Sequence, residues 1–135
     1  MALADYNQAL AIDPTYPWAY QKRGDLFNVM KEYDLALMDY NQVLSMNPKQ
    51  IEVRDSRAIL YSSKGRYDQA LADYNKALEF EPNNAGLYYN RGVTYMLKKE
   101  NDLALKDFNK ALEIQPDFLA AQKNKQTLEK SIKGD

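Results

Sequence analysis

Nineteen carboxylates, eighteen lysines and arginines and eleven tyrosines are the groups in this 135-residue chain that could do chemistry, since it contains neither cysteine nor histidine. A pair of carboxylates sharing a proton is the first possibility. Glu79 and Glu81 are close in sequence, but two residues apart on a helix they point to different sides and cannot act as a general acid and base on one bond. A constellation of arginine, aspartate and tyrosine is the second. Asp5, Asp39, Asp73 and Asp107 each stand directly before an aromatic residue, namely Tyr6, Tyr40, Tyr74 or Phe108, and Arg23, Arg57 and Arg91 return at the same interval. Side chains that return in every segment serve a need common to all segments, whereas a catalytic centre is needed once. Asn7, Asn41, Asn75 and Asn109 recur likewise and belong to the same scaffold. Lacking thiols and imidazoles, the chain has no disulfide, no cysteine nucleophile, no histidine base and little with which to hold a transition metal. It also shows no glycine-rich phosphate loop, no metal-ligand spacing and no nucleophile beside a plausible base, so no catalytic residue, metal site or cofactor is expected.

The charge balance restricts partners in the same way. A formal charge of −1 and a pI near 5.5 provide no single-signed field to draw the chain onto nucleic acid or anionic lipid. No apolar run approaches the roughly 18 residues of a membrane span, and the N-terminus lacks the layout of a signal peptide. The expected setting is soluble and cytoplasmic, without nucleic acid or membrane as partner.

The elements that must position these residues are set by a repeat. Pro14, Pro48, Pro82 and Pro116 fall at constant intervals of 34 residues, each preceded by an alignable stretch: Ala2-Leu-Ala-Asp-Tyr-Asn-Gln-Ala-Leu, then matching segments from Ala36, Ala70 and Ala104. Upstream of three of them lies a second pattern, Tyr20-x-x-Arg23-Gly24-x-x-Phe27, Arg54-x-x-Arg57-Ala58-x-x-Tyr61 and Tyr88-x-x-Arg91-Gly92-x-x-Tyr95. Both patterns have helical spacing, and each proline ends the second helix on schedule, because it disfavours helical geometry before it and cannot continue the ladder itself. Helices are therefore expected at 1–12, 17–30, 34–46, 51–64, 68–80, 85–98, 102–114 and 119–133.

Together these features resemble the tetratricopeptide signature over essentially the whole chain. The resemblance implies an all-α fold, a right-handed superhelical solenoid of antiparallel helix pairs, in a single domain over residues 1–135. Within it, 1–16 is a second-helix half repeat, 17–50, 51–84 and 85–118 are full repeats, and 119–133 is a capping helix that presents Gln122, Lys125, Gln126 and Glu129 in slots where other repeats carry aromatic and small residues. Gly24, Ala58 and Gly92 are expected to face Ala36, Ala70 and Ala104 at the closest helix crossings. Tyr6, Tyr40, Tyr74 and Phe108 are expected in the core, each costing about 3–5 kcal/mol on truncation to alanine. Lys31 and Lys99 occupy the hairpin slot that Gly65 fills, which leaves room for a different turn in the first and third repeats. Two ion-pair registers fit the period. Each aspartate could reach the arginine of the following repeat, with Lys125 completing the series, or the arginine of its own repeat, leaving Asp5 alone; the first is favoured. Because Leu3, Tyr6 and Leu10 belong to a helix with no predecessor to cover all of its apolar surface, an excised fragment is favoured over a self-associating end.

Constant slots build the scaffold; variable slots are where a ligand is read. In the family the resemblance points to, the inner wall of the solenoid is lined by the first helix of each repeat. Here that wall is Trp18, Gln21, Lys22, Asp25 and Asn28, then Glu52, Asp55, Ser56 and Ile59, then Tyr89, Asn90, Val93 and Met96, with Lys123 and Asn124 from the cap. No two repeats match across it, as suits a groove holding one extended basic or amphipathic peptide. Trp18, the sole tryptophan, is the favoured anchor, with packing beneath the Tyr16–Pro17 corner as its structural alternative. The two-lysine, arginine and asparagine clamp with which some family members grip the carboxylate of a chaperone tail has no counterpart: its first-helix slots hold Gln21 and Asp25, Asp55 and Ile59, or Tyr89 and Val93. The expected function is a scaffold or adaptor that binds a protein or peptide. Its alternatives are a homo-oligomerising assembly module, self-associating through the N-terminal helix, and the interaction segment of a larger enzyme.

Overall fold

A computed structural model describes residues 2–133. Eight helices follow in chain order: α1 (Ala2–Ile12), α2 (Pro17–Val29), α3 (Tyr33–Met46), α4 (Ile51–Ser63), α5 (Tyr67–Phe80), α6 (Ala85–Leu97), α7 (Asn101–Ile114) and α8 (Leu119–Ile132). They match the helices expected from the proline spacing to within a residue or so at each end. Among the described residues no helix is long and apolar enough to cross a membrane, and no group of three carboxylate, histidine or cysteine side chains could hold a metal ion.

The chain packs as two compact units that divide within α4, one up to Leu60 and the other from Tyr61 onward. In the first unit α2 packs against both α1 and α3. Its core is built from Ala19, Ala36, Tyr40, Val43, Val53 and Ala58, all at most 1% exposed. In the second unit α6 lies against α5 and α7, and α7 against α8. There the core gathers Ala85, Ala104, Phe108, Ala111, Ala121 and Leu128, with Tyr88, Tyr89, Val93 and Met96 packed on its margin.

The atoms nearest to Gly24 and Gly92 belong to the second helix of the same repeat. A Cβ on Gly24 would stand 2.9 Å from the Tyr40 ring and 3.2 Å from the Asp39 Cβ; on Gly92 it would stand 2.8 Å from the Phe108 ring. The small slot therefore makes room for the core aromatic, which closes over the glycine of its own repeat.

The hairpin turns are alike in all three repeats, in contrast to the variation expected from Lys31 and Lys99. Both lysines adopt the left-handed conformation, φ 63° and 66°, as does Gly65 at 78°. The Glu32 amide donates to the Phe27 carbonyl and the Lys31 amide to that of Asn28; Arg66 and Gly65, and Glu100 and Lys99, repeat the pattern. These are Schellman caps, and the helix-end carbonyls they satisfy outweigh the cost of a Cβ at positive φ. Replacing Lys99 by glycine relieves that cost, so Lys99→Gly is expected to stabilise the fold by about 0.5–1 kcal/mol, read as a raised urea midpoint at unchanged slope.

A second recurrent contact closes the corner ahead of each first helix. The Tyr20 hydroxyl donates to the Pro14 carbonyl at 2.9 Å and the Tyr88 hydroxyl to that of Pro82 at 3.1 Å. Arg54 makes the same reach to Pro48 through Nη2, at 2.6 Å, and Gln122 to Pro116 through Nε2, at 2.7 Å. What the slot preserves is a donor on a long side chain; aromaticity is incidental.

Candidate functional site

Two of the period-locked arginines pair with the aspartate of their own repeat, so the favoured register is corrected. Arg23 grips Asp39 with two prongs, Nε at 2.9 Å and Nη2 at 2.7 Å, and Arg91 grips Asp107 likewise at 2.8 and 2.7 Å. The third nitrogen, Nη1, turns to the asparagine of the preceding repeat: Arg23 to Asn7 at 2.9 Å, Arg57 to Asn41 and Arg91 to Asn75, both at 2.8 Å. Aspartate and asparagine stand two residues apart, about 200° around the second helix, so one faces its own first helix and the other the next one along. Arg23 also lies over the Tyr20 and Phe27 rings, and Arg91 over those of Tyr88 and Tyr95. The hydrogen bonds to the aspartates raise the pKa of both guanidiniums. All three side-chain nitrogens of Arg23 and of Arg91 thus have a partner inside the fold.

In the first unit the variable slots divide into committed and open ones. Trp18 is 48% exposed. It stacks on Tyr16, ring centroids 5.8 Å apart and 28° between planes, and meets Tyr6 edge-on at 5.9 Å. Trp18 thus packs at the Tyr16 corner and still offers a face to solvent. Gln21 is buried, with the Gln50 Nε2 3.5 Å from its Oε1. Asp25 accepts the Tyr40 hydroxyl at 2.7 Å, and Asn28 is half-buried. Burial, and then the Asp25 carboxylate, push the Tyr40 phenol well above its ordinary pKa. Lys22, Asp55 and Ser56 are half-buried, while Glu52 and Ile59 are exposed.

In the second unit Tyr89 is half-buried, its ring 4.9 Å from Phe118 and 5.8 Å from Phe108, with the Asn124 Nδ2 3.3 Å from its hydroxyl. Val93 and Met96 lie against the core cluster. Asn90 is half-buried and its carbonyl accepts the Thr94 hydroxyl; Lys123 is exposed.

The sequence reading missed Phe118 and the role of Asp25. No sequence signal marked the last, because Ile59 fills the Asp25 slot in the repeat of Tyr74, whose ring also carries a hydroxyl.

Family models for the TPR repeat match residues 1–30 and 58–99, and models for the tetratricopeptide repeat match 19–50 and 85–118. No curated protein matches by sequence. Among solved structures, the first TPR of Spaghetti (RPAP3) bound to the HSP90 peptide SRMEEVD superposes with a TM-score of 0.82 at 19% identity, over 87% of this chain and 94% of that one. MamA from Desulfovibrio magneticus RS-1 gives 0.90 at 15% identity over 97% and 74%. A tetratricopeptide repeat protein from Parabacteroides merdae gives 0.86 at 24% identity over 93% of this chain but 49% of that one, so the chain spans about half of that relative. The all-α superhelical class expected from the repeat is the class these neighbours carry, and the chain belongs to the tetratricopeptide repeat family.

Proposed function

We propose that this chain is a protein-interaction module that takes a peptide or protein segment on the variable faces of its first helices and has no catalytic role. One observation carries the proposal: the recurrent Arg23, Asp39, Arg91 and Asp107, with Asn7, Asn41 and Asn75, bond internally, while the residues that differ between repeats include the half-exposed Trp18 and the exposed Glu52, Ile59 and Lys123. An exposed aromatic and an exposed carboxylate among the variable residues suit a basic or amphipathic segment. The similar fold of Spaghetti, bound to an HSP90 peptide, supports a peptide as the kind of ligand.

The ligand we propose is not an acidic chaperone tail. A terminal carboxylate needs lysine and asparagine in slots that here hold Gln21 and Asp25, and the buried Gln21 and the Tyr40-bound Asp25 are not free to serve. Labelled SRMEEVD peptide is expected to show no saturable anisotropy change with the chain. The binding face is tested by capture from a lysate with the native chain and with a Trp18→Ala, Ile59→Ser variant of unchanged circular dichroism. Partners are expected to be lost from the variant; retention of all of them sinks the assignment.

A further inference from the structure

The second unit contains two seams at which a second helix meets the first helix that follows it, α5 with α6 and α7 with α8, and their chemistry differs. At the former, the Arg91 Nη1 donates to Asn75 at 2.8 Å and the Lys98 ammonium to Asp68 at 2.9 Å, so α6 is tied to α5 at its middle and at its C-cap. One period on, the acceptors remain and the donors change. Asn109 and Asp102 stand on α7 where Asn75 and Asp68 stand on α5, but α8 meets them with Lys125 in place of Arg91 and Ile132 in place of Lys98. Ile132 and Asp102 line one hollow beside the start of α7, which puts the apolar residue where the ammonium is wanted. Both acceptors are exposed, and neither has a hydrogen-bond or ion-pair partner among the described residues.

What holds α8 is therefore unevenly spread along it. Gln122 donates to the Pro116 carbonyl at 2.7 Å and Asn124 to the Tyr89 hydroxyl at 3.3 Å, both in the first half of the helix. Beyond Asn124 the buried side chain of α8 is Leu128, whereas the matching stretch of α6 buries Gly92 and Thr94 and half-buries Val93, Tyr95 and Met96. A segment held by one leucine, without the two links that tie its counterpart, opens at a lower free energy than the elements around it. We propose that Lys125–Ile132 is a strap that lifts from α7 while Leu119–Asn124 stays docked, the missing donors at Asn109 and Asp102 being what sets it loose. Its lifting uncovers the apolar side of α7 at Leu105 and Leu112, which pack on the cluster that Leu128 completes.

Hydrogen exchange of the whole chain, followed by mass spectrometry, reads the strap, and restoring the donors tests its cause. Amides of residues 126–132 are expected to exchange roughly tenfold or more faster than those of the matching stretch 92–98. In a Lys125→Arg, Ile132→Lys variant, which returns a guanidinium to Asn109 and an ammonium to Asp102, exchange over 126–132 should slow by about threefold or more while 92–98 keeps its rate. Lys125 is half-buried and Ile132 exposed, so the variant is expected to fold as the native chain does. Adding Asn109→Ala and Asp102→Ala should bring the native rate back, which separates the restored links from any change in helix propensity. Exchange of 126–132 in step with 92–98 overturns the proposal. So does a native rate in the Lys125→Arg, Ile132→Lys variant, which would assign the opening to fraying of the helix alone, or a slowed rate that survives loss of both acceptors.

Discussion

Truncating Phe108 to alanine is expected to cost about 3–5 kcal/mol of stability, enough to shift or abolish the urea transition of the second unit followed at 222 nm. The ring is fully buried, lies against the backbone of Gly92 and carries the Tyr89 ring on its edge, so nothing nearby can collapse into the void without separating α6 from α7. The same slot in α1 gives an internal control. Tyr6 is only half-buried, and Tyr6→Ala is expected to cost about 1–2 kcal/mol rather than the core-like loss its repeat position suggested. Equal costs at the two sites would mean that α1 is covered in solution.

Removing the Arg91 side chain is the second large effect. Arg91→Ala leaves the Asp107 carboxylate, 3% exposed, without its two charge-assisted bonds, and leaves Asn75 and the rings of Tyr88 and Tyr95 without the guanidinium they surround. Loss of one partner of a buried pair costs about 3–5 kcal/mol; about 3 is expected here, because Arg91 lies at a rim that water can reach. Arg91→Lys keeps the charge but not the fork, and should fall between native and alanine. Asp5→Ala removes the residue at Asp107's place in a repeat where it is exposed, and should change stability by less than about 0.5 kcal/mol. Chemical denaturation of the four proteins side by side checks the order.

Much of this was legible in the sequence because the period repeats the same physical instruction. Proline fixes where each second helix ends, and small and aromatic residues at helical spacing fix which faces meet; all eight helices follow from those two facts. The ion-pair register was not legible. An arginine on a first helix has a second helix on either side, and spacing alone serves both; the side chosen depends on the half-turn that separates Asp107 from Asn109 around α7. The hairpins were misjudged for a related reason. Residue type argued for a different turn at Lys31 and Lys99, but the hydrogen bonds that close the helix end hold the backbone in one conformation whatever the side chain. At the candidate binding face, variability between repeats marks positions on the first helices but does not separate accessible side chains from those committed to internal contacts. Asp25 and Tyr89 vary like ligand-reading residues, yet their partners are Tyr40, Phe108 and Phe118.

The reach from each first helix back to a proline carbonyl bears on how degenerate repeats are detected. Tyrosine, arginine and glutamine all close that corner, since an oxygen at that distance asks only for a proton on a sufficiently long arm. The matched family segments stop at residue 50, resume at 58 and end at 118, passing over Arg54 and falling short of Gln122. A search that weighed this position by its capacity to donate, rather than by its resemblance to an aromatic ring, would recover units that have drifted beyond ordinary similarity while keeping their latch.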